Sequence, residues 1–193
     1  MQQNEWEDRY QQGQTGWDRG ISSENLAFWL DQRLLTKCRV LIPGCGNGYE
    51  VQTLAEMGFE VTAIDIAPTA IQNLQASLDK ANLKATLIEG DFFSWQPETH
   101  FDAIYEQTSL CALPPDLWQA YENQLNSWLK PAGKLFAQFM QTGIQGGPPY
   151  HCEINAMKGI FTNERWLWSE AYRNSEAEEL GNKTEIQYLL EKR

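Results

Sequence analysis

The sequence predicts an α/β fold with a doubly wound, Rossmann-like arrangement: a mostly parallel seven-stranded sheet with helices on both faces and a helical lid at the N-terminus. Two observations carry this prediction. From residue 39 onwards, short apolar runs alternate with longer amphipathic segments, which is the pattern of repeated βαβ units. In addition, chemically distinctive residues follow directly after several of the apolar runs, and ligands of such sheets bind at the carboxyl ends of the strands.

The first half of the pattern begins with a buried strand at 39–43, which runs into a glycine-rich loop. Residues 49–57 form an amphipathic stretch that ends at Gly58, because glycine readily adopts the left-handed conformation that closes a helix. A second strand follows at 60–65. Pro68 then opens a helix, since its fixed φ suits the first helical turn. The predicted apolar face of that helix comprises Ile71, Leu74 and Leu78.

The second half continues the alternation. A helix is predicted at 116–129, where apolar residues recur at helical spacing and a Lys-Pro-Ala-Gly segment ends the pattern. The remaining strands are predicted at 84–89, 101–106 and 134–140, with weaker candidates near 165–169 and 185–190.

The tryptophans divide into two groups. Ser22 or Ser23 can cap a helix that buries Trp29. The stretch before that helix, with Trp6, Tyr10 and Trp17, has little core pattern. We therefore predict that this stretch is a lid that orders on ligand binding. The tryptophans predicted to lie in the core are Trp29, Trp128, Trp166 and Trp168.

Length and net charge limit the domain organisation and the possible binding partners. The 193 residues suit a single domain, with a helical lid segment at 1–35 and a Rossmann-like core at 36–193. Lys and Arg total 15 against 26 Asp and Glu, which gives a net charge of −11. Binding of nucleic acids depends on clustered Lys and Arg, and so does binding of anionic membranes. We therefore expect neither partner.

Other global features point to a cytoplasmic protein without a metal. No apolar run approaches the roughly 18 residues that span a bilayer, and the first residues lack the pattern of a signal peptide. The four cysteines have neither metal-ligand nor disulfide spacing, and the chain has two histidines. Free thiols in a reducing cytosol are therefore expected.

The loop after the first strand reads Pro43-Gly44-Cys45-Gly46-Asn47-Gly48. Glycines permit positive φ and let a ligand approach the backbone closely. A helix follows, and its first N–H groups have no partners within the helix. The pattern predicts a binding loop, although a glycine-rich turn without a ligand has the same sequence signature.

Acidic residues follow the next two strands. Asp65 lies 21 residues after Gly44, where a carboxylate can accept hydrogen bonds from both ribose hydroxyls of a nucleoside. Gly90-Asp91-Phe92-Phe93 after the third strand suits an adenine pocket. The alternatives are an exposed turn residue for Asp65 and the N-cap of a turn for Asp91.

Two cofactors fit a nucleoside site. The dinucleotide fingerprint requires a third glycine where this chain has Tyr49, and a second nucleotide-binding half finds little room in 193 residues. S-adenosylmethionine has one nucleoside and no phosphate. We therefore predict S-adenosylmethionine as the cofactor, with S-adenosylhomocysteine as the product.

Several segments, in the right order, resemble the thiopurine S-methyltransferase family. The similarity extends over nearly the whole chain and implies a class I S-adenosylmethionine-dependent methyltransferase, in a family that includes thiol, halide and thiocyanate methyltransferases. The matching segments are Trp6-x-x-Arg-Tyr10, Thr15-Gly-Trp-Asp18, Val40-Leu-Ile-Pro-Gly-Cys-Gly-Asn-Gly-Tyr49, Gly90-Asp-Phe-Phe93, Phe101-Asp-Ala-Ile-Tyr-Glu-Gln-Thr-Ser-Leu-Cys-Ala-Leu-Pro-Pro115 and Gly146-Gly-Pro-Pro-Tyr150.

The resemblance also implies roles for single residues. The two N-terminal tryptophans match positions that cover the cofactor and border the substrate. Gln107 matches a position that faces the cofactor and the transferred methyl group, where some family members have Arg. Motifs and resemblance together assign cofactor binding to Trp6, Trp17, Gly44, Gly46, Asp65, Gly90, Asp91, Phe92 and Gln107.

The predicted acceptor is a small molecule with a soft nucleophile, above all a thiol. The Asn/Asp-Pro-Pro-Tyr signature of amine methylation does not follow the fourth strand, where Gln107-Thr-Ser-Leu stands. We expect the loop 146–150 to shape the acceptor site. The sequence names no catalytic residue, and the candidates for an optional general base are Asp18 and Glu106. We expect a monomer. The alternative functions are a non-catalytic S-adenosylmethionine sensor and an NAD-dependent reductase.

Overall fold

The computed structural model describes residues 3–170, 172–177 and 183–193. The described chain divides into two compact units, residues 1–96 and 97–193. In the part of the chain that the structure describes, no helix has both the length and the apolarity needed to cross a bilayer.

The first unit contains a parallel sheet of three strands. These are β1 (Arg39–Pro43), β2 (Glu60–Asp65) and β3 (Thr86–Glu89), in the order β3-β2-β1. Ile42 pairs with Ala63, and Ala63 pairs with Leu87. All three strands therefore end at the same edge, which is the edge where the predicted binding residues follow.

Within residues 3–96 the helices are α1 (Gln3–Gln11), α2 (Glu24–Asp31), α3 (Tyr49–Glu56) and α4 (Pro68–Ala81). The side chain of Ser23 caps α2 by accepting a hydrogen bond from the N–H of Asn25. Helix α3 begins after Gly48 and is followed by Gly58, both in the left-handed region. The predicted apolar face of α4 is buried.

Gly48 has a packing role as well as a conformational one. A Cβ at this position would lie 2.5 Å from a methyl carbon of Leu74, which is fully buried on α4. Any larger residue would therefore force the buried Leu74 side chain or its helix to shift. The positive φ of 71° adds backbone strain for a residue other than glycine.

The second unit contains a mixed sheet. Its strands are β4 (Phe101–Gln107), β5 (Leu129–Gln141), β6 (Trp166–Trp168), β7 (Arg173–Ala177) and β8 (Lys183–Lys192). The order is β4-β5-β8-β6, and β7 also pairs with β8. Strands β4 and β5 are parallel, whereas β8 is antiparallel to β5, β6 and β7.

The α-helices in the described part of the second unit are α5 (Ser109–Ala112), α6 (Trp118–Trp128) and α7 (Ile154–Ile160). Trp128 and Trp166 are buried, as predicted, and so is Trp29 in the first unit. Trp168 is half-buried and stacks on Phe139 with ring centroids 5.6 Å apart.

The predicted α/β class with its parallel strands is confirmed. Among the described residues, the helices α1, α5 and α7 and the short strand β7 were not predicted as separate elements. Strand β5 begins earlier than predicted, because Leu129 already pairs with Phe101 before the register shifts. All four cysteines are free thiols. The division into a lid at 1–35 and a core at 36–193 stays a prediction.

Candidate active site

The glycine loop and Asp65 form the centre of the candidate site in the first unit. Asp65 ends β2, and its two carboxylate oxygens accept the N–H groups of Gly46 and Ala67 at 2.8 and 2.9 Å. The loop is also joined to β2 through the N–H of Cys45, which donates to the carbonyl of Ile64. Gly44 and Gly46 have positive φ values of 58° and 54°, so the sharp turn depends on glycine.

Burial affects the acidity of Asp65. Desolvation raises the pKa of this carboxyl group, and the N–H groups of Ala67 and Gly46 lower it again in part. A carboxylate oxygen has more lone-pair capacity than one N–H uses. Asp65 therefore remains able to accept further hydrogen bonds at the sheet edge.

The end of β3 lies beside Asp65, because the backbone N–H of Gly90 donates to the backbone carbonyl of Asp65 at 2.9 Å. A Cβ at Gly90 would meet no atom within 4 Å. The Asp91 carboxylate accepts the N–H of Phe93 at 3.0 Å, so it caps its own turn, which is the alternative role that the sequence left open. The rings of Phe92 and Phe93 meet edge to face at 5.5 Å.

The N-terminal aromatic residues pack on one another and reach the glycine loop. Trp17 makes edge contacts with Trp6 at 5.3 Å and with Tyr10 at 5.7 Å. A Cβ at Gly46 would lie 3.0 Å from the hydroxyl oxygen of Tyr10. Burial, together with the negative charge of Asp65, raises the pKa of Tyr10, so this hydroxyl keeps its proton. Tyr10 was not predicted as a site residue.

Two polar contacts hold the N-terminal segment in place. The Glu7 carboxylate accepts the N–H and the hydroxyl of Thr69 on α4, at 2.9 and 2.6 Å. These bonds lower the pKa of Glu7. Asp18 accepts a short hydrogen bond from the side chain of Asn47 in the glycine loop. Asp18 therefore has a structural partner here, which weakens its candidacy as a general base.

Gln107, the last of the nine predicted cofactor-binding residues, ends β4 in the second unit. The hydroxyl of Tyr105 donates to its side-chain carbonyl oxygen at 2.7 Å, and the amide of Gln138 approaches the same oxygen at 3.4 Å. Gln138 is the cross-strand partner of Gln107 on β5, so the backbone register brings these amides together.

Glu106 is buried beside this position. One carboxylate oxygen accepts the N–H of Leu110 at 2.7 Å and thereby holds the start of α5. Burial, with a contribution from Glu185, raises the pKa of Glu106 to about 7. Glu106 thus anchors a loop, which is a different role from the general base considered above.

Cys111 and the loop at 146–150 lie together in the second unit. The N–H of Tyr150 donates to the carbonyl of Cys111 at 2.7 Å. The ring of Tyr150 packs on Gly147, where a Cβ would lie 2.6 Å from it. Burial raises the pKa of the Cys111 thiol, so this residue serves packing and is a poor nucleophile.

With this geometry established, the chain can be compared with known proteins. The family model of thiopurine S-methyltransferase matches residues 1–192. The chain belongs to the thiopurine S-methyltransferase family. The match confirms the predicted enzyme class, S-adenosylmethionine-dependent S-methyltransferases, and with it the predicted cofactor.

Curated relatives agree with the family assignment. A probable thiol methyltransferase 2 of Arabidopsis thaliana is 33% identical over 159 residues, which cover 80% of this chain and 70% of the relative. A thiopurine S-methyltransferase of Pseudomonas putida is 29% identical, over 75% of this chain and 76% of the relative.

Solved structures share the fold. Magnesium protoporphyrin IX methyltransferase of Synechocystis, crystallised with S-adenosylmethionine, has a TM-score of 0.77 at 14% identity and covers 99% of this chain and 97% of its own. A Burkholderia thailandensis 1,6-didemethyltoxoflavin-N1-methyltransferase has a TM-score of 0.78 at 16% identity, over 98% and 86% of the two chains. The class I methyltransferase fold is thereby confirmed.

The residues of this family member fit a nucleoside cofactor. Gly46 and Gly90 both contact Asp65, the carboxylate has spare acceptor capacity, and the space beside Gly90 is open. In the described ranges, no group of three or more His, Cys, Asp or Glu is placed to hold a metal ion. The structure adds Glu7, Tyr10 and Asn47 to the predicted residues. Tyr10 and Asn47 lie in segments that match the family, whereas Glu7 stands at an unspecified position between Trp6 and Arg9 of the first matching segment.

Proposed function

We propose that this protein transfers a methyl group from S-adenosylmethionine to the sulfur of a small thiol. The observation that carries the proposal is the bond between the Asp65 carboxylate and the N–H of Gly46, at the strand edge of a thiopurine S-methyltransferase family member. It fixes an acidic acceptor beside a glycine turn, which is what a nucleoside ribose requires.

Each binding residue has a definite task in this proposal. When bound, S-adenosylmethionine supplies an activated methyl group and leaves as S-adenosylhomocysteine. Asp65 binds the ribose hydroxyls, and Gly44 and Gly46 keep the loop free of side chains. Gly90, Asp91 and Phe92 hold the adenine: the backbone and carboxylate offer polar contacts, and the ring covers the base.

The N-terminal aromatic residues exclude water. Trp6, Tyr10 and Trp17 form a continuous aromatic cluster whose tyrosine hydroxyl lies against the glycine loop. Charge disappears when a sulfonium reacts with a nucleophile, so a dry aromatic wall favours the transfer. Alignment of the two reactants supplies the larger part of the barrier reduction, up to about 7–11 kcal/mol in well-oriented systems.

A thiol acceptor suits the residues of the second unit. An ordinary thiol has a pKa of about 8.5, so some thiolate is present near neutral pH without a general base. This agrees with the engagement of Asp18 and Glu106 in structural bonds. We assign acceptor recognition to Gln107 and to the loop at 146–150. The relatives named thiol, thiocyanate and thiopurine methyltransferases support this class of acceptor.

Three further properties belong to the proposal. The protein acts as a monomer, it works in the cytoplasm, and its two units function as a single methyltransferase domain. Four free cysteines agree with a reducing compartment. Sedimentation of the purified protein tests the monomer: a concentration-independent mass near 22.2 kDa is expected.

The transfer itself is tested with trideuteromethyl-labelled S-adenosylmethionine and a panel of thiols, thiocyanate and halides, with products read by mass spectrometry. We expect at least one thiol to become a labelled methyl thioether. Tight binding of S-adenosylhomocysteine without any transfer would instead support the sensor alternative. A rise in the melting temperature with NADH but not with S-adenosylhomocysteine would support the reductase.

A further inference from the structure

The side chain of His151 binds the start of the loop at 142–150. Its ring nitrogen Nδ1 accepts the backbone N–H of Thr142 at 3.0 Å and that of Gly143 at 3.2 Å. Because a backbone N–H can only donate, the ring atom that faces both groups must be a nitrogen with a free lone pair. A reversed ring would place a C–H group there. The backbone therefore fixes the ring orientation and the neutral tautomer, with its proton on Nε2.

The two ends of this loop are joined at its base. The side-chain amide of Gln141 donates to the carbonyl of Cys152 at 2.7 Å, and the N–H of Cys152 donates to the carbonyl of Met140 at 2.8 Å. Residues 143–147, further along the loop, are exposed to solvent. The bonds to His151 therefore extend the closure from the base of the loop to its first two residues.

We infer that His151 is a pH-sensitive positioning residue, which holds the loop at 142–150 closed while its ring is neutral and releases it when the ring is protonated. Protonation adds an N–H at Nδ1 and removes the lone pair that both backbone groups use. Three donors would then face one another without an acceptor. The inference rests on the proposed function, which assigns acceptor recognition to residues 146–150 of this loop. It adds that acceptor recognition weakens as the pH falls.

Other titratable groups lie near His151 or its neighbours. Backbone N–H groups lower the pKa of Glu153, whose charge acts on His151, so Glu153 stays ionised while a histidine titrates. Burial raises the pKa of the Cys152 and Cys111 thiols, which stay neutral. Glu106 acts on Cys152 and has a pKa of about 7, so its titration overlaps with the ordinary range of histidine. His151 and Glu106 are therefore separated by substitution.

Two variants distinguish the lone pair of His151 from its charge. His151→Asn can place its side-chain oxygen where Nδ1 stands, so an acceptor remains and no proton is gained. His151→Leu keeps a similar bulk and removes the acceptor. Both variants retain Glu106. His100→Leu is the control, because His100 is an exposed histidine of the same unit.

Solvent exchange of the Thr142 and Gly143 amides, followed by NMR on the full chain, measures the closure without any assay of activity. At about pH 8 we expect these amides to be at least about fivefold less protected in His151→Leu than in the wild type, and fully protected in His151→Asn. From about pH 8 to about pH 5 the wild type should lose this protection, whereas His151→Asn should keep it. His100→Leu should behave like the wild type.

Kinetics then connect the loop with the acceptor. With a thiol that the wild type methylates, His151→Leu should raise the acceptor KM by about fivefold or more and change kcat less. His151→Asn should restore the KM of the wild type, and the affinity for S-adenosylhomocysteine should stay unchanged in both variants. General damage to the fold would instead weaken S-adenosylhomocysteine binding as well.

Equal protection of the two amides in the wild type and His151→Leu would overturn the inference. So would protection that the wild type keeps at about pH 5, or that His151→Asn loses equally, since Glu106 would then be the cause. If His151→Leu does not fold, the wild type and His151→Asn compared across pH decide alone. An unchanged acceptor KM in His151→Leu would refute the link to the acceptor.

The labelled-methyl assay judges the proposed function separately. A loop that opens on protonation of His151, in a protein that methylates no thiol, would keep the role of His151 in closing the loop and refute the thiol methyltransferase. Methylation of a thiol by a protein whose loop amides ignore both pH and His151 would do the reverse.

Discussion

The carboxylate of Glu7 accepts both the backbone N–H and the hydroxyl of Thr69, a residue 62 positions further along the chain. Thr69 stands in the first turn of α4, where backbone N–H groups have no partner inside the helix. An acidic group at this end is favourable. The contact therefore closes the start of α4 and holds α1 against it.

We predict that Glu7→Gln weakens S-adenosylhomocysteine binding by about threefold to tenfold, because the lost charge-assisted bonds are worth about 1 kcal/mol at a partly exposed site. Trp6 and Tyr10 then lose part of their support. Isothermal titration calorimetry measures the effect. Glu5→Gln is the matched control, since Glu5 is exposed on the same helix and its ion pair is with Arg9 of that helix, not with α4. Equal losses in both variants would contradict the role of the Thr69 contact.

Gly48 gives a prediction about stability. We expect Gly48→Ala to lower the free energy of unfolding by about 1–3 kcal/mol, because the added Cβ overlaps Leu74 and the positive φ is strained. Urea unfolding measures the loss. Gly159→Ala is the control: this glycine lies in α7, and a Cβ there meets nothing within 4 Å. A similar loss in both variants would show that the contact with Leu74 is unimportant.

Glu106 makes stability depend on pH. Its pKa is raised from 4.5 to about 7 in the folded protein, so the native state holds this proton more tightly than the unfolded chain does. Between about pH 4.5 and pH 7 the contribution of Glu106 to the free energy of unfolding therefore falls as pH rises, and it is constant above that range. Glu185 is the group that adds negative charge around Glu106. Cys111, Cys152 and Tyr121 lie near it as well, but their pKa values are raised, so they stay neutral in this range.

Melting temperatures across this range test the prediction. Glu106→Gln cannot ionise, so its melting temperature should change less between pH 4.5 and pH 7 than that of the wild type. Glu98→Gln is the control, because Glu98 is exposed in the same unit. Parallel curves for the wild type and Glu106→Gln would mean that Glu106 does not titrate in this range.

Much of the first unit could be predicted from its sequence. Buried strands read as apolar runs, and residues that follow them gather at one edge, so the glycine loop, Asp65 and Gly90 were placed together correctly. Helix α1 was missed because its polar sequence, QNEWEDRYQ, carries little apolar periodicity. Its stability comes instead from contacts such as Glu7 with Thr69, which link residues far apart in the sequence.

Other features depend on the pairing register of neighbouring strands, which the sequence alone does not reveal. Gln138 meets Gln107 because β4 and β5 pair in one particular register. The early start of β5 was hidden by Pro131 and Gly133, which normally interrupt strands. The capping role of Asp91 was open, because a carboxylate after a strand suits a turn and a ligand equally well.

The most direct test of the account is the affinity of S-adenosylhomocysteine for the wild type and for Asp65→Ala, measured by calorimetry. The account predicts tight binding to the wild type and a loss of about 1.5–3 kcal/mol in the variant, since hydrogen bonds to a charged group disappear. Asp31→Ala, an exposed site at the end of α2, should bind like the wild type. Equal affinities of the wild type and Asp65→Ala would contradict the placement of the cofactor at the glycine loop.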